Sequence, residues 1–287
     1  MTTTEPASGP TVLRILVGSH LRQLRENKGI TRDEAGYAIR GSGSKISRLE
    51  LGRVSFKLRD VEDLLTLYGV VGDDARSAVL TLARQANTPG WWHRYSDVLP
   101  EWFHVYIGLE EAATLIRTYE VQFVPGLLQT EDYIRAVATG HTTISPEELD
   151  RRVKLRVTRQ QLLTRPNPPR LWAVIDEAAL RRPIGNREIM RGQIERLIEA
   201  TKMPNVTLQV LPFSAGAHSA EAGAYSILRF PDQDLPDIVY LEQLTSALYL
   251  DKLDDVERYL EAMERLCIES DTPDRTVESL SRILQET

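Results

Sequence analysis

The chain has 287 residues, 42% hydrophobic and 26% charged, with a formal net charge of −6. That length suggests two domains or one large one, and the apolar share suffices for ordinary packed cores, which excludes a collagenous or broadly disordered chain. No apolar run reaches the roughly 18 residues that span a bilayer, and a single cysteine, Cys267, excludes an intrachain disulfide framework and a cysteine-rich zinc site.

The first segment, "MTTTEPASGPT", has neither a basic start nor an apolar core, so it does not read as a signal peptide. Residues 1–10 are expected to form a disordered tail, and a reducing cytoplasm is the expected compartment. Charge is unevenly spread. Residues 11–59 hold eleven Lys/Arg against four Asp/Glu, a balance of +7, which leaves −13 for the rest. A compact basic module on an acidic body is the footprint of a nucleic-acid-binding domain joined to something else.

Four or five short helices are expected over residues 11–86. Val12, Leu13, Leu16, Val17, Leu21 and Leu24 recur near the helical period, and Gly29 ends that helix. In "TRDEAGYAIR", Thr31 is an N-cap and Glu34 completes a capping box, while Gly36 permits close approach of another helix. Ser42 caps the following stretch, "GSKISRLELG", whose Ile46 and Leu49 face inward and whose Gly52 closes it. "RDVEDLLTLYGV" supplies a further helix. Helix, short helix, turn, short helix and closing helices make a helix-turn-helix pattern.

"LRQLRENKGITRDEAGYAIRGSGSKISRLELGR" resembles the Xre type of helix-turn-helix, the phage-repressor-like class. The resemblance implies an all-α DNA-binding domain over 11–86 whose second helix of the motif enters the major groove of double-stranded DNA. It places Ser44, Lys45 and Arg48 at base-contacting positions, with Arg48 suited to bidentate reading of guanine and Lys45 to guanine or phosphate. Ser42, with the free N–H groups behind it, would hold a phosphate, and Ser47 would serve bases or backbone. Arg32 resembles a phosphate-contacting position, and Arg53 and Lys57 follow as phosphate clamps. Arg25 and Glu50 correspond to an ion pair that ties the first helix to the recognition helix. Gly43 stands where a long polar reader is common. The turn departs from the family, with Arg40-Gly41 replacing a glycine-plus-apolar pair, and Gly41 is expected to take the positive φ.

From Asn87 the texture changes. Trp91, Trp92, Tyr95, Trp102, Phe103 and Tyr106 crowd into sixteen residues, which marks a domain core or buried interface, or else a ligand pocket or dimer contact. Trp91, Trp92, Trp102 and His218 are kept as candidate ligand or partner contacts. "TYEVQFVPGLLQT" reads as a short extended segment followed by a helix through Ile134, and Leu149–Leu163 as a charged amphipathic helix. "RLWAVI", "NVTLQVLPF", "GAYSILRF" and "DIVYLE" read as strands, with a helix over 187–202 between the first two. Two helices, 254–269 and 276–285, close a mixed α+β domain spanning 87–287.

"GWW..YSDVLPEWF..Y.GLE.AA", "YE..FVPGLLQT.DY.RA" and "LP...GAH.A..G.YSIL.F....P.IVYLE" resemble the uncharacterised domain that follows an Xre-type unit in actinobacterial, WhiJ-like regulators. That resemblance implies a sensing, dimerisation or partner-binding role and a possible small acidic protein partner; a small-molecule effector, a homodimer on a pseudo-palindromic site and a nucleoid location when DNA-bound are further expectations. No P-loop, Gly-x-Ser-x-Gly or His-Glu-x-x-His is present, so neither an enzyme, a cofactor nor a metal is expected. "GAHSAEAGAY" offers His218 and Glu221 without a nucleophile or second ligand. The expected function is a sequence-specific transcriptional regulator; the alternative is an antitoxin-like interaction protein whose DNA binding serves autoregulation.

Overall fold

The computed structural model describes residues 10–139, 144–220, 223–231 and 235–287. The expected tail lies outside them except for Pro10, and Glu221 lies outside them too. The chain forms two compact units. The first comprises residues 10–94 and 104–112, and the second comprises 95–103 and 113–287.

The first unit is helical: α1 (Pro10–Asn27), α2 (Arg32–Ala38), α3 (Gly43–Glu50), α4 (Leu58–Leu67), α5 (Asp73–Ala86), a 3-10 turn at Trp91–Tyr95 and most of α6 (Glu101–Ala112). Val17, Leu21, Ile46, Leu49, Leu64 and Leu65, drawn from α1, α3 and α4, meet in one core. Each such side chain contributes about 1.5–3 kcal/mol by leaving water. Thr31 and Glu34 form the capping box that starts α2, and Ser42 caps α3 through the Lys45 amide.

The turn between α2 and α3 corrects the sequence expectation: Arg40, not Gly41, has the positive φ, 53°. The reason is the hydrogen-bond pattern that closes α2. Gly41 N–H donates to Gly36 O at 2.8 Å and Arg40 N–H to Tyr37 O at 3.0 Å. This Schellman arrangement puts the left-handed residue directly after the cap residue Ile39, which is Arg40. Gly36 is needed for another reason: a Cβ there would lie 2.6 Å from the Ser42 carbonyl carbon.

The second unit carries a six-stranded sheet in the order β3-β2-β1-β4-β5-β6. Its strands are β1 (Leu115–Glu120), β2 (Arg170–Asp176), β3 (Val206–Leu211), β4 (Tyr225–Arg229), β5 (Ile238–Glu242) and β6 (Ala247–Leu250). β1, β2 and β3 run parallel; β4, β5 and β6 continue antiparallel from β1. The parallel strands require crossovers. These are α7 (Glu131–Thr139) with α8 (Pro146–Gln160), then α9 (Glu177–Arg181) with α10 (Arg187–Ala200). α11 (Leu253–Glu269) and α12 (Pro273–Glu286) end the chain. One sheet face presents Tyr119, Tyr225, Val239 and Leu241 to Val256, Met263 and Leu266 of α11, and Cys267 packs beside them. Burial pushes the Cys267 thiol up to about 11. Asp176 caps α9 by accepting from the Ala178 amide at 2.8 Å.

Candidate nucleic-acid interface

α3 is held from behind and open in front. Ile46, Leu49 and Glu50 are buried, whereas Ser42, Ser44 and Arg48 are exposed and Lys45 and Ser47 half-buried. A Cβ at Gly18 of α1 would lie 2.5 Å from Leu49 O, so α1 crosses the end of α3 at backbone contact. Gly52, at φ 64°, ends the helix and lets Arg53 N–H donate to Arg48 O at 2.9 Å. That turn leaves Arg53 and Lys57 exposed beyond the helix end. Among the described residues Arg48, Arg53 and Lys57 make no ion pair, so their charges are free for an outside anion.

Behind α3 stands a buried ion pair. Arg25 Nε lies 2.5 Å from Glu50 Oε1 and Nη2 lies 3.1 Å from Oε2, a two-pronged contact between side chains 8% and 3% exposed. The Glu50 hydrogen bond, the largest effect, raises the Arg25 pKa above its ordinary value. Arg25 also donates to Ile30 O at 2.9 Å, which fixes the chain between α1 and α2. Arg32, nearly half exposed, donates to Glu50 Oε2 at 3.2 Å and keeps its outer face in solvent. Desolvation, followed by the nearby Glu50 charge, pushes the Tyr68 hydroxyl up to about 12, keeping it neutral beside this pair.

Lys45 stands differently from Arg48. Its Nζ lies 2.5 Å from Asp60 Oδ2, at the first turn of α4. Sequence reasoning treated Lys45 as a free reader and missed Asp60. The one signal was an acidic residue in the first turn of a helix within a basic module. Two further exposed groups were not put forward as contacts: Tyr37, 87% exposed on α2, and Arg40, read from the sequence only as part of the turn.

The remaining candidates do not form one site. Trp91 and Trp92 belong to the first unit, and Trp102 and His218 to the second. Trp92 is 1% exposed, with its ring against the backbone at Gly90 and Gly108, and it packs edge-on to Trp91 at 5.9 Å. It is a core residue rather than a ligand contact, because two glycines clear the space its indole fills. Trp102 gives its carbonyl to Tyr249 Oη at 2.5 Å. His218 is turned inward. Its Nδ1 accepts from the Ala220 amide at 3.3 Å, and its Nε2 faces Tyr119 Oη at 3.5 Å and Asp176 Oδ2 at 3.9 Å. Nδ1 is therefore occupied within its own loop, and Nε2 faces the ends of β1 and β2. Among the described residues no group of His, Cys, Asp or Glu is placed to hold a metal.

Comparison with protein families adds two matches. Residues 103–282 match the model of a domain of unknown function, DUF5753, over more than half of the chain. The chain belongs to the DUF5753 family. Residues 16–79 of this DUF5753 protein match a helix-turn-helix domain, a region that runs from α1 into the first half of α5. The helix-turn-helix match supports DNA binding and transcription regulation, and a regulator rather than an enzyme. Neither a curated protein nor a solved structure matches the chain. Among the described residues no helix is long and apolar enough to cross a membrane.

Proposed function

We propose that this DUF5753 protein is a sequence-specific regulator of transcription that reads the major groove with α3 and is controlled through its second unit by a ligand or protein partner. The observation that carries the reading is the exposed, ion-pair-free Arg48 on a helix whose opposite side is fixed by the Arg25–Glu50 pair. Ser44 and Ser47 sit on the same short helix, and Ser42 marks its N-terminus, where amide groups attract a phosphate. Arg32, Arg53 and Lys57 flank it as backbone clamps, and Lys45 reads a base only when it leaves Asp60.

Readout and clamping separate by substitution. Arg48→Ala should weaken specific binding by about 1–3 kcal/mol and relax preference at one base pair. Arg53→Ala should weaken all DNA alike and lower the salt dependence by about one counterion. Unaltered site preference in folded Arg48→Ala would remove Arg48 from the base-reading set. A homodimer would present two copies of α3 about 34 Å apart on a pseudo-palindromic site. Binding that titrates as one protomer per site would exclude that arrangement.

A further inference from the structure

α3 begins without a side chain of its own. Gly43 is its first residue, and the space where a Cβ would stand is filled from outside the helix. A Cβ at Gly43 would overlap Asp33 Oδ1, and would lie 3.2 Å from Asp33 Cγ and 3.5 Å from the Arg32 carbonyl carbon. The close approach of α2 therefore sets the Asp33 carboxylate against the first turn of α3. Gly43 and Ser47 are i, i+4 neighbours, so this carboxylate extends toward the N-terminus the flank that carries Ser47. The N-terminal turn of a recognition helix is the part that reaches base edges.

The basic stretch spends its other acids internally. Residues 11–59 hold four, and three are engaged: Glu26 with Arg22, Glu34 with the Thr31 amide and hydroxyl, and Glu50 with Arg25 and Arg32. The fourth, Asp33, is exposed, and among the described residues it has neither a hydrogen bond nor an ion pair. An acid in the first turn of α2 suits that helix's dipole, but this does not require a carboxylate held over Gly43. Beside DNA an unsatisfied carboxylate weakens binding, because it repels the phosphates. It becomes favourable where a donor meets it. The major groove offers such donors in the N4 amino group of cytosine and the N6 amino group of adenine. A carboxylate can only accept, and adenine sets its N7 acceptor beside N6, whereas cytosine has no acceptor next to N4 on the same base. Thymine O4 and guanine O6 and N7 are acceptors and would repel it.

We propose that Asp33, carried by α2 and packed on Gly43, reads a cytosine through its N4 amino group, so that two helices build the readout surface. The proposal rests on the reading of α3 as the major-groove helix and adds to it a specificity residue from outside α3.

The test is selection of bound fragments from random duplex DNA by the full chain and by Asp33→Ala, Asp33→Asn and Gly43→Ala. The selected site is then titrated with each base pair at the affected position. The wild type should prefer cytosine at one position by about tenfold over guanine or thymine, near the low end for a base-edge contact. Asp33→Ala should lose that preference and keep the others. Asp33→Asn, of equal size, should shift it to adenine, whose N6 and N7 suit an amide. Gly43→Ala, whose methyl group displaces the carboxylate, should lose it as Asp33→Ala does, and should change nothing further in an Asp33→Ala background. A motif unchanged in Asp33→Ala overturns the proposal and leaves α3 as the reader. Tighter binding of all sequences alike by Asp33→Ala, with a steeper salt dependence, overturns it too, since the carboxylate then does no more than repel phosphates. Equal weakening for all sequences makes Asp33 a structural residue and overturns it equally. A folded wild type that enriches no motif removes the DNA reading itself, and the proposal with it.

Discussion

Glu50→Ala is the perturbation whose cost the geometry fixes best. The Glu50 carboxylate is 3% exposed and accepts three charge-assisted hydrogen bonds, two from Arg25 and one from Arg32. Removing it strands the Arg25 guanidinium, 8% exposed, which keeps only Ile30 O at 2.9 Å and Glu26 at 3.2 Å. Losing one partner of a buried pair costs about 3–5 kcal/mol, and the two surviving contacts put the expected loss near 3. Arg25→Met with Glu50→Leu removes both charges, so the double variant should lie within about 1 kcal/mol of wild type. Amide hydrogen exchange of peptides from α1 and α3 reads the helical unit separately from the sheet unit. In Glu50→Ala these peptides should lose protection by that amount, with DNA affinity falling for all sequences alike. Protection changed by less than about 0.5 kcal/mol would refute the argument that this pair holds α3 in position.

Three further outcomes follow from the same geometry. Asp60→Asn should release Lys45, tighten DNA binding and steepen its salt dependence by about one counterion; no such gain should occur in a Lys45→Ala background, and an equal gain there would show that Asp60 acts on DNA directly. Arg40→Gly should raise stability by about 0.5–1 kcal/mol in urea unfolding, since relief of about 1–2 kcal/mol at positive φ outweighs the entropy glycine adds to the unfolded chain; a destabilised variant would contradict the Arg40 conformation. Glu120 binds its proton more tightly in the folded chain than in the unfolded one, so its contribution is complete below the unfolded value near 4.5 and is lost as pH rises through about 8. Its share of the slope of stability against pH should be at most about 1.4 kcal/mol per unit in that window, and Glu120→Gln should flatten it; an unchanged slope would refute the shift.

What the sequence disclosed was local. The capping box at Thr31 and Glu34, the Ser42 cap and the glycine stop at Gly52 are written within four residues of the structure they make. β2, β3, β4 and β5 also stood out, because β-branched and aromatic residues run between Pro, Gly and Asp. β1 begins at Leu115, earlier than "TYEVQF" suggested, and the helix after it starts only at Glu131, beyond a 3-10 turn at Gly126–Leu128. β6 went unread: it is four residues long, at the sheet edge, and half-buried at most, so no alternation develops. α6 was hidden by its own composition, since "WFHVYIGLEEA" is apolar around most of its circumference and shows aromatics but no face.

The interface divides in the same way. α3 and the exposure of Arg48 follow from capping and period, while the Lys45–Asp60 contact joins residues 15 apart through the packing of α3 and α4. The left-handed Arg40 depends on which carbonyls the end of α2 leaves open, which glycine content alone does not reveal. The polar face shared by Thr118, Ser226 and Tyr240 needs the strand order itself, because β1, β4 and β5 come together there from distant parts of the chain.

The central claim is that α3 reads DNA sequence. Its most direct test is selection of bound fragments from random duplex DNA by the purified full chain at near-physiological salt, repeated with Arg48→Ala. A short motif enriched by the wild type, with one position degenerate in the variant, is the expected result. A folded wild-type protein that enriches no motif, or a variant that enriches the same motif unaltered, would contradict it.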